Sequence, residues 1–484
     1  MKHTNKHRWA ILSVVTLVSF ITNVDSTIVV IGLPKLMQGL HASIIIGLWS
    51  ITSYIITSTV FLLPAGRWSD MVGKKRIFIS GFTVFTVATV LCGVAGSGAS
   101  LILFRFIQGI GAALALSTAT PIIIETFPQS ELGFAIGVNS TSWVLGAIMG
   151  PVVGGALINF WGWRSIFFVT VPFALIGIIT ATFVLKNDSS LFKFRTDWAG
   201  ILTFGAGLTL FLIVLSEGQS WGWFSPLIIT LTILIVVCWT AFTLIEKKVK
   251  FPLFDLQLFK NGRYTIGLIM EISYCIGYFS ITFLLTIYLQ GALHLNALNA
   301  RILLIPLSAP QLIMGPFGGK LADRFGTMRL LIIGFIFLTI GMFFMGNLGV
   351  ELSLTALIPP LIVISIANSL AWPSFVKTVL SQVPQEHTGA ASGMFFTVYN
   401  ASRALSQTFV LLAIELGVSS TVVTRALVGL SKEQSSSIVH ILVYSTNTGF
   451  RIFTSFFVIA LILVLFLAFT NKQNQMREDL LTDN

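Results

Sequence analysis

Charge is what this sequence lacks. Lysine and arginine number 29, aspartate and glutamate 18, together 10% of 484 residues, against about 25% in an ordinary soluble domain. So little charge cannot cover the surface of a soluble protein this long. The 55% hydrophobic content excludes a disordered chain, which needs few apolar residues and many charges. Cysteine is scarce as well. Three in the whole chain exclude a disulfide scaffold; Cys92, Cys238 and Cys275 all fall in apolar runs and read as packing residues. The six histidines are scattered over termini and loops. No His-Glu-x-x-His and no Cys/His cluster points to a metal. No Gly-x-x-x-x-Gly-Lys-Ser/Thr phosphate loop is present, so the chain is not an ATP-driven pump. No soluble stretch is long enough to hold an enzyme. Neither catalytic residues nor a cofactor are expected.

What is present is a series of long apolar runs. A helix needs about 20 apolar residues to cross the hydrocarbon, and the runs do not alternate as membrane strands would. Fourteen runs qualify: 9–33, 47–66, 77–97, 100–122, 133–157, 164–185, 197–216, 225–246, 263–288, 300–318, 329–349, 353–376, 389–414 and 446–470. Basic residues in the intervening loops set the orientation. Of the 29, 21 fall on the side that carries both termini and five on the other. Both termini are therefore expected in the cytoplasm. The net charge of +11 is topological and gives no reason to expect nucleic acid. The basic start, Lys2 to Arg8, precedes a run too long for a signal-peptide core and reads as the approach to span 1.

Two loops on the cytoplasmic side repeat each other. Gly66-Arg-Trp-Ser-Asp70-Met-Val-Gly73-Lys-Lys-Arg76 matches Gly319-Lys-Leu-Ala-Asp323-Arg-Phe-Gly326-Thr-Met-Arg329. The shift carries span 1 onto span 9, so spans 1–6 and 9–14 read as two copies of a six-helix unit, with spans 7 and 8 as an inserted hairpin. The expected organisation is a tail at 1–8, a six-helix bundle at 9–190, the hairpin at 191–250, a second six-helix bundle at 251–470 and a tail at 471–484. Repeated halves are the architecture of alternating-access transporters. Gly66, Asp70, Gly73, Arg76 and Asp323 read as a conformational latch, the alternative being a loop that only sets topology. Asp70 is placed to cap a helix end or pair with a nearby arginine.

These residues resemble the major facilitator superfamily and, within it, the 14-span drug:proton antiporters of the multidrug efflux type. The loop at 66–76 is similar to the family's signature between spans 2 and 3. Arg105-Phe-Ile-Gln108-Gly109-Ile-Gly111 is similar to its span-4 motif. Gly146-x-x-x-Gly150-Pro151-x-x-Gly154-Gly155 is similar to the antiporter motif of span 5, and Asp25-Ser-Thr27 to the signature at the end of span 1. Departures fall at Val30, Thr170, Leu132-Gly133 and Ala404-Leu405. The resemblance implies an all-α integral membrane protein of 14 transmembrane helices: two six-helix bundles of the major facilitator type plus the two-helix hairpin. It implies that Arg105 relays protons and that the glycine motif forms a leak-limiting seam between the halves; ordinary glycine packing is the alternative.

Charges inside spans are the functional candidates, because each costs at least a few kcal/mol in hydrocarbon. Asp25 lies about 12 Å from the outer end of span 1 and Arg105 about 8 Å from that of span 4, at 1.5 Å per residue. They are placed to meet, either as a proton coupler or as a static lock. Glu271, midway along span 9, is a candidate proton or cation group, or a neutral acid satisfied by its neighbours. Arg403 either bonds helix carbonyls or balances Glu271. By resemblance the substrate cavity is lined by Tyr54, Asn139, Trp143, Tyr274, Tyr278, Asn368, Trp372, Tyr399, Asn400 and Arg403, each with core packing as its alternative. The expected function is proton-coupled export of lipophilic compounds, cationic ones among them, by a monomer in the plasma membrane. The alternatives are export of an endogenous metabolite, lipid or siderophore and, from another class, a non-transporting membrane sensor or scaffold.

Overall fold

The computed structural model describes residues 5–186, 196–249, 252–254, 256–295, 297–415 and 436–482, and among them the regular structure is helical throughout. The first helices are α1 (Asn5–Gly39), α2 (Ile44–Val72), α3 (Lys74–Gly93), α4 (Gly98–Thr126) and α5 (Leu132–Trp161), followed by the short α6 (Ser165–Phe168) running into α7 (Thr170–Val184). A hairpin follows, α8 (Trp198–Trp221) and α9 (Pro226–Glu246). Then come α10 (Gly262–Thr286) with a π-helical turn at Ile287–Ala292, α11 (Ala297–Leu303), α12 (Ile305–Phe325), α13 (Thr327–Met345), α14 (Leu354–Leu380), α15 (Thr388–Glu415) and α16 (Ser436–Thr482).

Among the described residues, twelve helical segments are long and apolar enough to cross a membrane. The runs read at 300–318 and 389–414 correspond to α12 and α15, which are 21 and 28 residues long but more polar. α12 ends in Lys320, Asp323 and Arg324, and α15 carries Asn400, Arg403 and Gln407. Helices also overrun the apolar runs. α1 starts inside the expected tail, and α16 continues through most of the other one. The boundaries read at 190/191 and 250/251 lie outside the described residues. The sides of many helices are apolar yet uncovered by protein, for instance at Phe160, Phe183, Ile313 and Phe469. Such a surface suits hydrocarbon rather than water.

Local chemistry explains the helix ends. Ser43, Ser97, Asp197, Ser225 and Asn261 accept from first-turn N–H groups, which would otherwise be left unpaired. Gly73 separates α2 from α3 at φ 104°, and Gly326 separates α12 from α13 at φ 90°. Both have ψ 137°. Only glycine adopts this backbone without strain, so the repeated sequence motif is also a repeated backbone shape.

Contacts divide the chain into two units, Met1–Lys260 with Leu380–Thr397, and Asn261–Val379 with Val398–Asn484. In the first, α4 packs on α2 and α3, and α5 on α1. The glycines allow the approach: a Cβ at Gly111 would meet the Phe85 backbone, and one at Gly109 the Tyr54 carbonyl. The α8–α9 hairpin has its own small core of Val214, Ile228 and Ile235, and it leans on α2, where Gly205 meets Val60 and Trp198 meets Trp68. Glu246, at its end, accepts from the N–H groups of Leu253 and Phe254. In the second unit α10 packs on α16, and α16 on α13.

Candidate functional site: a buried ion pair, a helix-capping aspartate and an uncharged polar cluster

Asp25 and Arg105 meet in the first unit. Both are fully buried, and Arg105 Nη1 donates to Asp25 Oδ2 at 2.6 Å. The other carboxylate oxygen accepts from Gln108 Nε2 at 2.9 Å. Gln108 and Arg105 sit one helical turn apart on α4, so both can face α1, and Arg105 Nη1 also donates to Gln108 Oε1. Gln108 Nε2 donates further to Thr89 Oγ1 on α3. Arg105 Nε donates to the Ser50 carbonyl on α2, and its guanidinium lies 4.2 Å from the centre of the Tyr54 ring. One charged pair therefore ties together α1, α2, α3 and α4. Tyr54, read as a cavity residue, also covers the arginine with its ring. Breaking such a buried pair from one side costs about 3–5 kcal/mol, because the other charge is left uncompensated.

The glycine motif of α5 packs on α1, inside this same unit. A Cβ at Gly146 would meet Asn23 and Phe20, one at Gly150 would meet Thr27, and one at Gly154 would meet Ile28. Within this unit the motif therefore makes an α1–α5 contact. The reason is periodicity: these three glycines share one helix face, and that face is occupied by α1. Gly155 points elsewhere and has nothing within 4 Å of an added Cβ. Pro151 lies within the continuous α5. Further along, Asn139 is buried with Oδ1 lacking a hydrogen-bond partner among the described residues, and Trp143 packs its ring on Phe396.

Asp70 caps a helix rather than pairing with a neighbouring arginine. Its two oxygens accept from the N–H groups of Gly389 and Ala390, each at 2.8 Å, at the start of α15. A carboxylate there satisfies unpaired donors and the positive end of the helix dipole. Gly66 lets the backbones touch, since a Cβ would run into the Gly389 carbonyl. Arg76 is exposed. The second copy of the motif works differently: Asp323 pairs with Lys377 of α14 at 2.6 Å. On the first copy's side the corresponding ion pair joins Lys74 to Glu125.

In the second unit the polar residues form an uncharged chain. Tyr274 Oη donates to Asn368 Oδ1, Asn368 Nδ2 donates to Gln311 Oε1, and Gln311 Nε2 donates to Tyr278 Oη. The Tyr274 ring is near-parallel to those of Tyr278 and Trp372, and Trp372 meets Tyr399. Asn400, one residue on, is half-buried. Glu271 is fully buried on α10, and neither carboxyl oxygen has a hydrogen-bond partner among the described residues. Arg403 does not balance it. Its guanidinium sits over the Phe279 ring at 5.1 Å and the residue is exposed. Counted from the starts of their runs at 1.5 Å per residue, Glu271 lies about 12 Å and Arg403 about 21 Å deep, and Arg403 accordingly meets Phe279, two turns beyond Glu271.

Residues 15–407 match the family model described as the Major Facilitator Superfamily. The chain belongs to this superfamily. It is a multi-pass membrane transporter and not an enzyme. Similar curated proteins include the riboflavin transporter RibZ of Clostridioides difficile (strain 630), 28% identical over 84% of this chain and 88% of that protein. The tetracenomycin C resistance and export protein of Streptomyces glaucescens is 27% identical over 80% and 72%. The multidrug transporter protein MdtP of Bacillus subtilis (strain 168) is 26% identical over 78% and 70%. Among solved structures, the human organic anion transporter TETRAN superposes with a TM-score of 0.67 at 13% identity, covering 94% of this chain and 99% of that one. A proton:xylose symporter does so at 0.63 and 16%, covering 95% of each. At such identities these two structures speak to the fold of this facilitator alone.

Several working residues of this facilitator escaped the sequence reading: Gln108 as the second donor to Asp25, Thr89 and Ser50 behind it, Gln311 in the uncharged chain, and Lys377 opposite Asp323. Gln108 carried a signal, being a long polar side chain one turn from Arg105. The others are single polar residues among many, and only their neighbours on other helices distinguish them.

Proposed function

We propose that this facilitator is a proton-coupled exporter of lipophilic compounds, cationic ones included, that works by alternating access. The observation that carries the reading is the fully buried Asp25–Arg105–Gln108 network. It holds opposite charges inside the apolar bundle, where they are expensive unless put to use. Relatives named for export of tetracenomycin C and of multiple drugs support the direction and the lipophilic substrate. In this reading α12 and α15 complete fourteen spans, with α8–α9 as a hairpin inserted between two six-helix bundles. Both termini lie in the cytoplasm, as the basic loops require, and the membrane is the plasma membrane. The transporter acts as a monomer and needs no cofactor beyond the proton gradient. Asp25, Arg105 and Glu271 form the coupling set. The Asp70 cap and the Asp323–Lys377 pair form the latch. Tyr54, Asn139, Trp143, Tyr274, Tyr278, Asn368, Trp372, Tyr399, Asn400 and Arg403 bound the substrate path.

A second reading, export of an endogenous metabolite, is favoured by the relative named a riboflavin transporter. Everted membrane vesicles separate the two. Ethidium and riboflavin are offered with and without an imposed proton gradient. Gradient-dependent ethidium uptake supports drug export, and riboflavin uptake alone supports the second reading. Transport that ignores the gradient overturns proton coupling.

A further inference from the structure

The two buried acids of this transporter are held in opposite ways. Asp25 has no oxygen to spare: Oδ2 accepts from Arg105 and Oδ1 from Gln108. Those donors are themselves anchored, Arg105 by the Ser50 carbonyl and the Tyr54 ring, Gln108 by Thr89. Adding a proton to Asp25 would remove the charge that opposes the buried guanidinium. Glu271 is the reverse case. It is as deeply buried, yet both its oxygens lack a hydrogen-bond partner among the described residues.

Among the described residues no ion pair reaches Glu271. Tyr264, Tyr274 and Cys275 on its own helix, and Tyr399 on α15, are titratable groups near it. Arg403 acts on Cys275 and Tyr399 but lies over Phe279 and carries no ion pair to Glu271. On α14 the cation Lys377 is engaged by Asp323, and Val379 meets α10 at Gly267. On α16, Phe457 packs against Gly277, and no ionisable residue lies between Ile452 and Asn471. A bare carboxylate in such a place is far more costly than its neutral form. Even a neutral carboxyl without partners is unfavourable, so the group calls for an explanation beyond packing.

We infer that the proton carried by this transporter in the described conformation resides on Glu271, while Asp25 stays ionised as the fixed anion that positions Arg105. The inference rests on the proton-coupled reading above and divides labour within it. Asp25 and Arg105 hold α1 to α4, and Glu271 loads and unloads. On unloading, the Glu271 O–H bond breaks, the proton passes to water, and the carboxylate needs a partner that the described conformation does not provide. Release therefore requires the surroundings of α10 to open. That requirement ties the proton to a movement of the second unit.

Infrared spectroscopy of the purified full chain tests the assignment without a substrate. The carbonyl stretch of a buried protonated carboxylic acid is expected at neutral pH in the wild type and in Asp25→Asn, and is expected to vanish in Glu271→Gln. A band that vanishes in Asp25→Asn and persists in Glu271→Gln overturns the proposal, as does a band that persists in both or is absent from the wild type. Glu271→Met guards against loss of folding. It removes an unsatisfied polar group at similar volume, so a thermal midpoint at or above the wild type is expected. A lower midpoint would reveal a charged, partnered Glu271 and sink the idea. In liposomes with an imposed proton gradient and ethidium as probe, Glu271→Gln is expected to lose at least tenfold of the gradient-driven flux while downhill flux persists. Full gradient drive in that variant overturns the proposal. A wild type with no gradient drive overturns proton coupling itself and leaves the infrared result standing.

Discussion

Asp25 in the first unit and Glu271 in the second are both fully buried carboxyl groups on apolar helices. One is wrapped by an arginine and a glutamine, and the other has, among the described residues, neither an ion pair nor a hydrogen bond. Burial alone therefore says little about what an intramembrane acid does. The difference lies in the neighbouring helices. α4 brings Arg105 and Gln108 to α1, whereas the helices around Glu271 bring aromatic rings, amides that pair with one another, and aliphatic side chains. The first unit spends its polar groups on a charged tie among four helices. The second arranges its own into a neutral chain and leaves one acid outside it.

The largest effect that would break this comparison is on stability. Arg105→Ala strands Asp25 and is expected to cost about 3–5 kcal/mol, read as a lowered thermal midpoint in detergent; transport should fail with it. Glu271→Met should show no such loss. Equal destabilisation by the two variants would mean that the two acids are held alike. Next come the glycines of α5. Gly150→Val forces a side chain into Thr27 of α1 and should cost about 1–3 kcal/mol by overpacking. Gly155→Val, facing open space, should be close to neutral. Parity between them would remove the α1–α5 contact as the purpose of the motif. Asp70→Ala leaves two N–H groups of α15 uncapped and should cost about 1–2 kcal/mol, with slower dye transport in vesicles. An unchanged transport rate would reduce the cap to a static feature. Smallest is the pair of loop glycines. Gly73→Ala and Gly326→Ala each place a Cβ at positive φ and should each cost about 1 kcal/mol. A marked inequality would show that the two loops, alike in backbone, are not alike in strain.

Much of the fold was legible in the sequence, because hydrocarbon imposes length and composition on every span. The apolar runs located the helices to within a turn or two. They failed where helices continue beyond the apolar stretch, as at both ends of the chain, since a helix outlasts its hydrophobic part when polar side chains reach water. Gly73 and Gly326 were legible as copies because positive φ demands glycine in both. The candidate site was half legible. Scarcity of charge singled out Asp25, Arg105, Glu271 and Arg403, and similar depth suggested the first pairing. The suggested balance of Glu271 by Arg403 is one the structure does not make, because Arg403 lies over Phe279, two turns further along α10.

By itself, then, the sequence determined that the chain is a helical membrane protein, where its helices run, that a loop motif recurs, and which few charges are buried. Tertiary structure decided what each buried charge touches: that Gln108 and Ser50 complete the tie at Asp25, that the α5 glycines face α1, that Asp70 caps α15 while Asp323 meets Lys377, and that Glu271 stands without a partner. The reason is geometric. A helix fixes the spacing of its own side chains every 3.6 residues, so one chain's pattern shows which residues share a face. Which helix lies against that face is set by packing among all of them, and it is the opposing face that makes a buried carboxyl either an anchor or a place for a proton.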